Sequence, residues 1–91
     1  MGHFIVKAIA GNNKTYISNF SPIIWTSELK FAKGLENKDL LLSELGYNLD
    51  VLSALFKYKF IDSLYILYVD DKYNIISEEN ITLDDIPSSF S

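Results

Sequence analysis

Paired carboxylates are the side chains in this sequence whose type and spacing could do chemistry. Near the carboxyl end of the 91-residue chain there are three adjacent pairs: Asp70 and Asp71, Glu78 and Glu79, Asp84 and Asp85. Clustered carboxylate oxygens bind hard cations such as Ca²⁺ and Mg²⁺. The calcium-binding spacing Asp-x-Asp-x-Asn-Gly does not occur around them, so the sequence predicts no metal site.

Other groups for catalysis are scarce. The chain has one histidine, His3 near its start, and neither cysteine nor arginine. None of its serines lies in the Gly-x-Ser-x-Gly turn that presents a nucleophile. The two glycine-rich phosphate-binding motifs, Gly-x-x-x-x-Gly-Lys and Gly-x-Gly-x-x-Gly, do not occur in the sequence. Because enzymes need positioned acids, bases or nucleophiles, we expect a protein with no enzymatic activity and no cofactor.

Charge is distributed unevenly along the chain. The formal net charge is −4, and residues 70–91 carry −5, since six acids face one lysine, Lys72. Such a segment attracts basic surfaces and repels polyanions, which opposes direct nucleic-acid binding. Two interpretations remain open for these acids: a hydrated surface that maintains solubility, or a docking surface for a basic partner.

The length of the chain limits its organisation. With 91 residues there is room for one hydrophobic core, so we expect a single domain over residues 1–91. Residues 78–91 are expected to form an acidic tail that docks loosely. The sequence contains neither a signal-peptide pattern nor an apolar run close to the roughly 20 residues that span a bilayer. We therefore expect a cytoplasmic protein without membrane contact.

The first third of the chain predicts a β-hairpin followed by a short helix. Apolar and β-branched residues at 4–10 and 15–20 flank a Gly/Asn turn, which is typical of a hairpin. Pro22 is expected to end the second strand, because proline cannot donate to a ladder. Thr26 or Ser27 would then begin a helix that ends at Gly34.

The rest of the chain predicts two more helices and two more strands. Asn37 is a start signal for a helix that Gly46 would end, and Asn48 begins a third helix. The unbroken apolar run 64–69 indicates a central strand covered on both faces, and 74–77 a short returning strand. We therefore predict an α+β fold in the order β-β-α-α-α-β-β: an antiparallel sheet of about four strands with two or three helices on one face.

A resemblance adds a suggestion about origin. Residues 16–20, Tyr-Ile-Ser-Asn-Phe, and 25–35, Trp-Thr-Ser-Glu-Leu-Lys-Phe-Ala-Lys-Gly-Leu, resemble a pattern in small phage and prophage proteins of unknown function. There a hairpin leads to a short helix bearing Trp-Thr and Ala-Lys. The resemblance spans about residues 4–45 and implies an accessory protein of a mobile element, acting in the host cytoplasm by binding host machinery, including as a nuclease inhibitor.

The sequence thus predicts a small protein-binding module. Its partner would be another protein, such as a basic nucleic-acid-binding host protein, and the module would inhibit a host defence nuclease. The predicted acidic binding surface consists of Asp70, Asp71, Glu78, Glu79, Asp84 and Asp85. The alternative is an assembly subunit that forms a homodimer or larger homo-oligomer, because tyrosine is enriched at protein interfaces. Its interface aromatics would be Tyr65, Tyr68 and Tyr73.

Overall fold

A computed structural model describes residues 2–11, 15–20, 23–26, 30 and 34–87, with only the backbone described at 16–20 and 23–26. Three strands open the chain: β1 (His3–Ala10), β2 (Thr15–Phe20) and β3 (Ile23–Thr26). The helices α1 (Lys38–Tyr47) and α2 (Leu49–Lys57) and the strands β4 (Ile61–Val69) and β5 (Ile75–Ile81) follow. A 3-10 turn at Leu83–Asp85 comes after β5.

The strands form one antiparallel sheet in the order β3-β2-β1-β4-β5. Three of these strands and the two helices form an α+β unit in the order β-α-α-β-β, made of β1, α1, α2, β4 and β5. β4 lies between β1 and β5, with Ile5 opposite Leu67 on one side and Leu67 opposite Glu78 on the other. The predicted α+β class and antiparallel sheet are therefore confirmed.

Both helices pack on one face of the sheet. Leu41 and Leu45 of α1 and Leu52 of α2 are buried in one cluster with sheet residues such as Val6 and Leu64. Side chains alternate between faces along a strand, and a second buried cluster occupies the opposite face. Its members are Ile5, Leu67 and Val69. β4 is therefore buried on both faces, as its unbroken apolar run predicted.

The sequence predicted the starts of both helices correctly and the end of α1 wrongly. Asn37 is the N-cap of α1, and its side-chain oxygen accepts a hydrogen bond from the Leu40 amide at 2.8 Å. Gly46 does not end α1, since the helix continues to Tyr47 and Gly46 is buried. Asn48 is the N-cap residue of α2, as predicted, but its side chain donates to the Glu44 carbonyl of α1 at 2.8 Å and makes no capping hydrogen bond to α2.

The predicted strand count was too low on the β2 side of the sheet. A third strand, Ile23–Thr26, pairs with β2, with Trp25 opposite Ser18. Thr26 is therefore the last residue of β3. β-branched and aromatic residues, such as those at 23–26, favour strands. This signal was missed because a helix was predicted to begin at Thr26 or Ser27. Between Thr26 and Gly34, where a short helix was predicted, the structure describes only Lys30, so that helix lies outside the described residues.

β5 is longer than the predicted returning strand. It runs Ile75–Ile81 and so includes the two glutamates and Asn80. Polar side chains suit this strand because it is the last in the sheet order and residues 75–80 are exposed. Within the predicted acidic tail, Ile81 and Ile86 are buried in the helix-side cluster, while residues 88–91 are outside the described residues.

Candidate functional site

All six predicted acidic residues lie along one border of the sheet. Asp70 and Asp71 belong to the turn before β5, Glu78 and Glu79 lie in β5, and Asp84 and Asp85 are in the 3-10 turn after it. We call these six residues the acidic edge. The fold therefore gathers the carboxylates on an edge strand and its two flanking turns.

Asp70 organises the turn between β4 and β5. Its carboxylate accepts hydrogen bonds from the amides of Lys72 at 2.9 Å and Asn74 at 2.8 Å, and from the Asn74 side chain at 3.0 Å. The hydrogen bonds from Asn74 hold the pKa of Asp70 below its ordinary value of 3.8, because they stabilise the charged form. Tyr73 follows the turn with a positive φ of 64°.

Glu78 and Glu79 point to opposite faces of the sheet. Glu78 lies opposite Leu67 on the face of the second cluster, where Lys7 donates a hydrogen bond to it. Glu79 faces the helices, and its carboxylate accepts a hydrogen bond from Lys38 of α1 at 2.7 Å. The side chains of Glu78 and Glu79 remain 41% and 55% exposed. Each carboxylate is therefore oriented by one lysine while still reachable from solvent.

The turn after β5 is closed by a capping box. The Asp85 carboxylate accepts hydrogen bonds from the backbone amide of Thr82 at 2.8 Å and from its hydroxyl at 3.3 Å. Asp84, the neighbouring acid, is exposed. Thus Asp85 maintains the local backbone, while the Asp84 carboxylate projects from the same turn into solvent.

The acidic edge carries more negative than positive side chains. Six acids and Lys72 give residues 70–87 a charge of −5. Lys7 and Lys38 pair with Glu78 and Glu79 and bring two positive charges to this surface. A surface of this charge attracts basic groups over a Debye length of about 8 Å in physiological salt.

The backbone of β5 offers unpaired hydrogen-bonding groups to solvent. Phe4 exchanges both backbone hydrogen bonds with Leu35, at 2.8 and 2.9 Å, so its N–H and C=O point away from its β4 partner, Tyr68. Because these directions alternate along a strand, Tyr68 must direct its own groups toward β5. The Asp70 amide, two residues further on, indeed donates across the turn to Asn74 at 3.0 Å.

The same alternation decides which residues of β5 face outward. Ser77, Glu79 and Ile81 lie opposite the β4 residues that point toward β5. The N–H and C=O groups of Glu78 and Asn80 therefore point away from the sheet. Within the described part of the chain no further strand pairs with β5, so these four groups form an open ladder.

The three predicted interface tyrosines occupy different environments. Tyr65 is partly buried, with Lys7 Nζ 4.7 Å from the centre of its ring. Tyr68 is also partly buried, its ring centre 4.8 Å from that of Phe4. Tyr73, by contrast, is 47% exposed. Of the three, only Tyr73 is exposed, and it lies in the segment between β4 and β5.

A pocket of about 320 Å³ lies beside the turn that Asp70 organises. His3 and Tyr73 line it together with Asp70 and Asp71, over an apolar base that includes Ile5. These groups converge because His3 pairs with Val69 at the end of β4. Among the described residues no group of three His, Cys, Asp or Glu side chains could hold a metal ion.

Sequence reasoning missed two features of this border: the outward backbone of β5 and its exposed isoleucines. Ile75 and Ile76 are 51% and 60% exposed. A register shift places Tyr68 opposite Ser77 but Val69 opposite Ile75, so Ile76 is the bulged residue. The apolar Ile81 after two acids was the available signal that the strand extends past Ser77.

Comparisons with known proteins do not identify the chain. No family model, curated protein or solved structure matches it. In the described part of the chain no helix is long and apolar enough to cross a membrane. Any function must therefore be argued from the residues and their geometry.

Proposed function

We propose that this protein is a small non-enzymatic binding module that engages a basic surface of another protein through its acidic edge. The observation that supports this most is the placement of all six acids on one edge strand and its flanking turns. Separate segments of an extended tail would present the same charge without a fixed geometry. Here the sheet and its turns hold the carboxylates at fixed positions, which reduces the entropy lost on binding.

The internal contacts of the acids support binding rather than oppose it. Asp70 and Asp85 hold the two turns in place, while Glu78 and Glu79 are each oriented by one lysine. An ionised carboxylate has about four acceptor sites, so one lysine leaves room for a basic group from a partner. The acidic edge is therefore a preorganised surface for cations carried on a protein.

The partner is a basic protein, and the nucleic-acid-binding groove of a host nuclease has the required character. Such grooves carry lysine and arginine side chains that bind phosphates. A row of fixed carboxylates competes with a phosphate backbone for the same side chains. Occupation of the groove would inhibit the nuclease, and electrostatic attraction would accelerate the encounter.

A matched pair of charge variants tests this proposal. The double substitution Glu78→Gln and Asp84→Asn neutralises two acids of the acidic edge. The control, Glu36→Gln and Asp50→Asn, removes the same charge from two exposed acids away from the acidic edge. Glu36 follows Leu35, which is hydrogen-bonded to Phe4 on the side of β1 away from β4, and Asp50 is in α2. Circular dichroism is used to check that both variants are folded.

The three proteins are immobilised and used to capture partners from host lysate across a salt series. We expect the wild type and the control to retain a basic nucleic-acid-binding protein, and the edge variant to retain the same protein about fivefold more weakly. This factor corresponds to the loss of two exposed charge contacts at about 0.5 kcal/mol each. Its binding should also depend less on salt. Equal capture by all three proteins would show that the acidic edge is not the binding surface.

A further inference from the structure

We infer that the partner binds by adding a strand to β5, through an extended segment that carries basic side chains. This inference rests on the proposed function and specifies how the acidic edge is used. Its basis is the open ladder of β5, where Glu78 and Asn80 direct their N–H and C=O groups to solvent. Unpaired edge groups are a template for an incoming strand.

The charges of β5 define the chemistry of the added strand. Glu78 lies on one face of the sheet and Glu79 on the other, and both are exposed. Side chains of an added strand alternate between the same two faces. Two adjacent basic residues would therefore reach one glutamate each, and opposite charges on neighbouring strands are favourable.

A second copy of this chain fits the same edge poorly. Antiparallel pairing of β5 with itself would bring Glu78 and Glu79 of one copy beside the same residues of the other. Like charges on adjacent strands are destabilising, and each chain carries a net charge of −4. The bulge at Ile76 also shortens the regular edge, which natural sheets use to limit self-association. The charges thus favour a basic heterologous segment.

The first test uses synthetic peptides as probes of the edge. The parent peptide is a short valine–threonine strand with two adjacent central lysines, and its charge control has glutamates in their place. Two further versions keep the lysines but carry N-methyl groups on one or the other set of alternate residues. Each N-methyl group removes one backbone donor and leaves the charge unchanged.

Strand addition predicts opposite results for the two methylated peptides. The set whose donors face β5 should bind about tenfold or more weakly, because each of its N-methyl groups removes one hydrogen bond to β5. The other set should bind like the parent peptide. If both bind like the parent while the glutamate peptide fails, strand addition is wrong and the acidic edge remains a charge-dependent binding surface. If the glutamate peptide binds equally well, the proposed function is wrong as well.

Amide exchange in the wild-type protein gives an independent measurement. Bound peptide should slow exchange at Glu78 and Asn80, which face outward, and leave Glu79 and Ile81 nearly unchanged because β4 already pairs with them. Unchanged exchange at Glu78 and Asn80 under saturating peptide would overturn the inference. Protection of these amides without peptide, in a protein that elutes as a dimer, would show that a second copy occupies the edge and would overturn it too.

A proline variant tests the same edge from the protein side. Asn80→Pro removes an outward N–H and no hydrogen bond to β4, and edge strands tolerate proline in that orientation. Asn80→Ala is the control, because the Asn80 side chain donates to the Leu64 carbonyl at 3.0 Å. We expect Asn80→Ala to bind the lysine peptide within about twofold of wild type, and Asn80→Pro to bind about tenfold more weakly. Equal binding by the two variants would contradict strand addition.

Discussion

Gly34 passes so close to β1 that a single methyl group there should disturb the sheet. A Cβ atom added at Gly34 would lie 2.5 Å from His3 Cβ, 3.0 Å from Ile5 Cγ1 and 3.1 Å from the Phe4 carbonyl oxygen. Rotation of a side chain cannot move the Cβ of His3 or the carbonyl of Phe4. The substitution Gly34→Ala must therefore shift the backbone itself.

The size of the effect follows from what that shift would break. The adjacent Leu35 exchanges two backbone hydrogen bonds with Phe4, at 2.8 and 2.9 Å, and Ile5 is 1% exposed in the second cluster. Overpacking of this kind typically costs about 1–3 kcal/mol. For a domain of this size each kcal/mol lowers Tm by about 4–8 °C, so we expect Gly34→Ala to lower Tm by about 5–20 °C.

Gly11→Ala is the matched control for this experiment. A Cβ at Gly11 would make ordinary contacts, the nearest being the Lys59 carbonyl oxygen at 3.5 Å. Its effect should stay within about 1 kcal/mol, and a slight stabilisation is expected from the reduced freedom of the unfolded chain. Thermal and urea unfolding followed by circular dichroism measure both variants. Equal Tm values for Gly34→Ala and Gly11→Ala would refute the close approach of residue 34 to β1.

Two further predictions concern the core and the turn before β5. Leu52 is 1% exposed and Val51 is 54% exposed on the same helix. Leu52→Ala should therefore lower the free energy of unfolding by about 2–5 kcal/mol, and Val51→Ala should change it by less than about 0.5 kcal/mol. Urea titration measures both variants, and similar losses of stability would contradict the packing of α2. The pKa of Asp70 is lowered mainly by its hydrogen bonds from Asn74. The ionised Asp70 therefore stabilises the folded protein fully above the unfolded pKa of about 3.9, and this stabilisation is lost as pH falls through the lower folded pKa. Compared with Asp70→Asn, the wild type should therefore lose more stability on acidification below about pH 4, and parallel pH profiles would count against the Asp70 turn.

The success of sequence reasoning varied with how local the signal was. Asn37 caps α1 as predicted, because an N-cap depends on the side chain and on an amide three residues away. The run at 64–69 indicated a strand buried on both faces, and both clusters include residues of β4. By contrast, Ile23–Thr26 forms a strand through pairing with β2. That pairing depends on contact with a neighbouring strand, which residues 23–26 alone do not specify.

The candidate site shows the same division. The six acids were recognisable from residue type alone, and they lie on β5 and its two flanking turns. Sequence reasoning ended the returning strand at Ser77, because Glu78 and Glu79 are poor strand formers. It could not anticipate that Lys7 and Lys38, 71 and 41 residues away, would pair with them. Those contacts exist only because β1 and α1 are folded beside β5.

The amino-acid sequence by itself determined the class of the fold, the start of α1, the buried run of β4 and the negative charge near the carboxyl end. These properties follow from periodicity, capping and composition, which act over a few residues. Only the tertiary structure decided that β5 is an edge strand and that the backbone groups of Glu78 and Asn80 face solvent. Strand order and register depend on contacts between distant segments, so the direction of each N–H follows from the whole sheet.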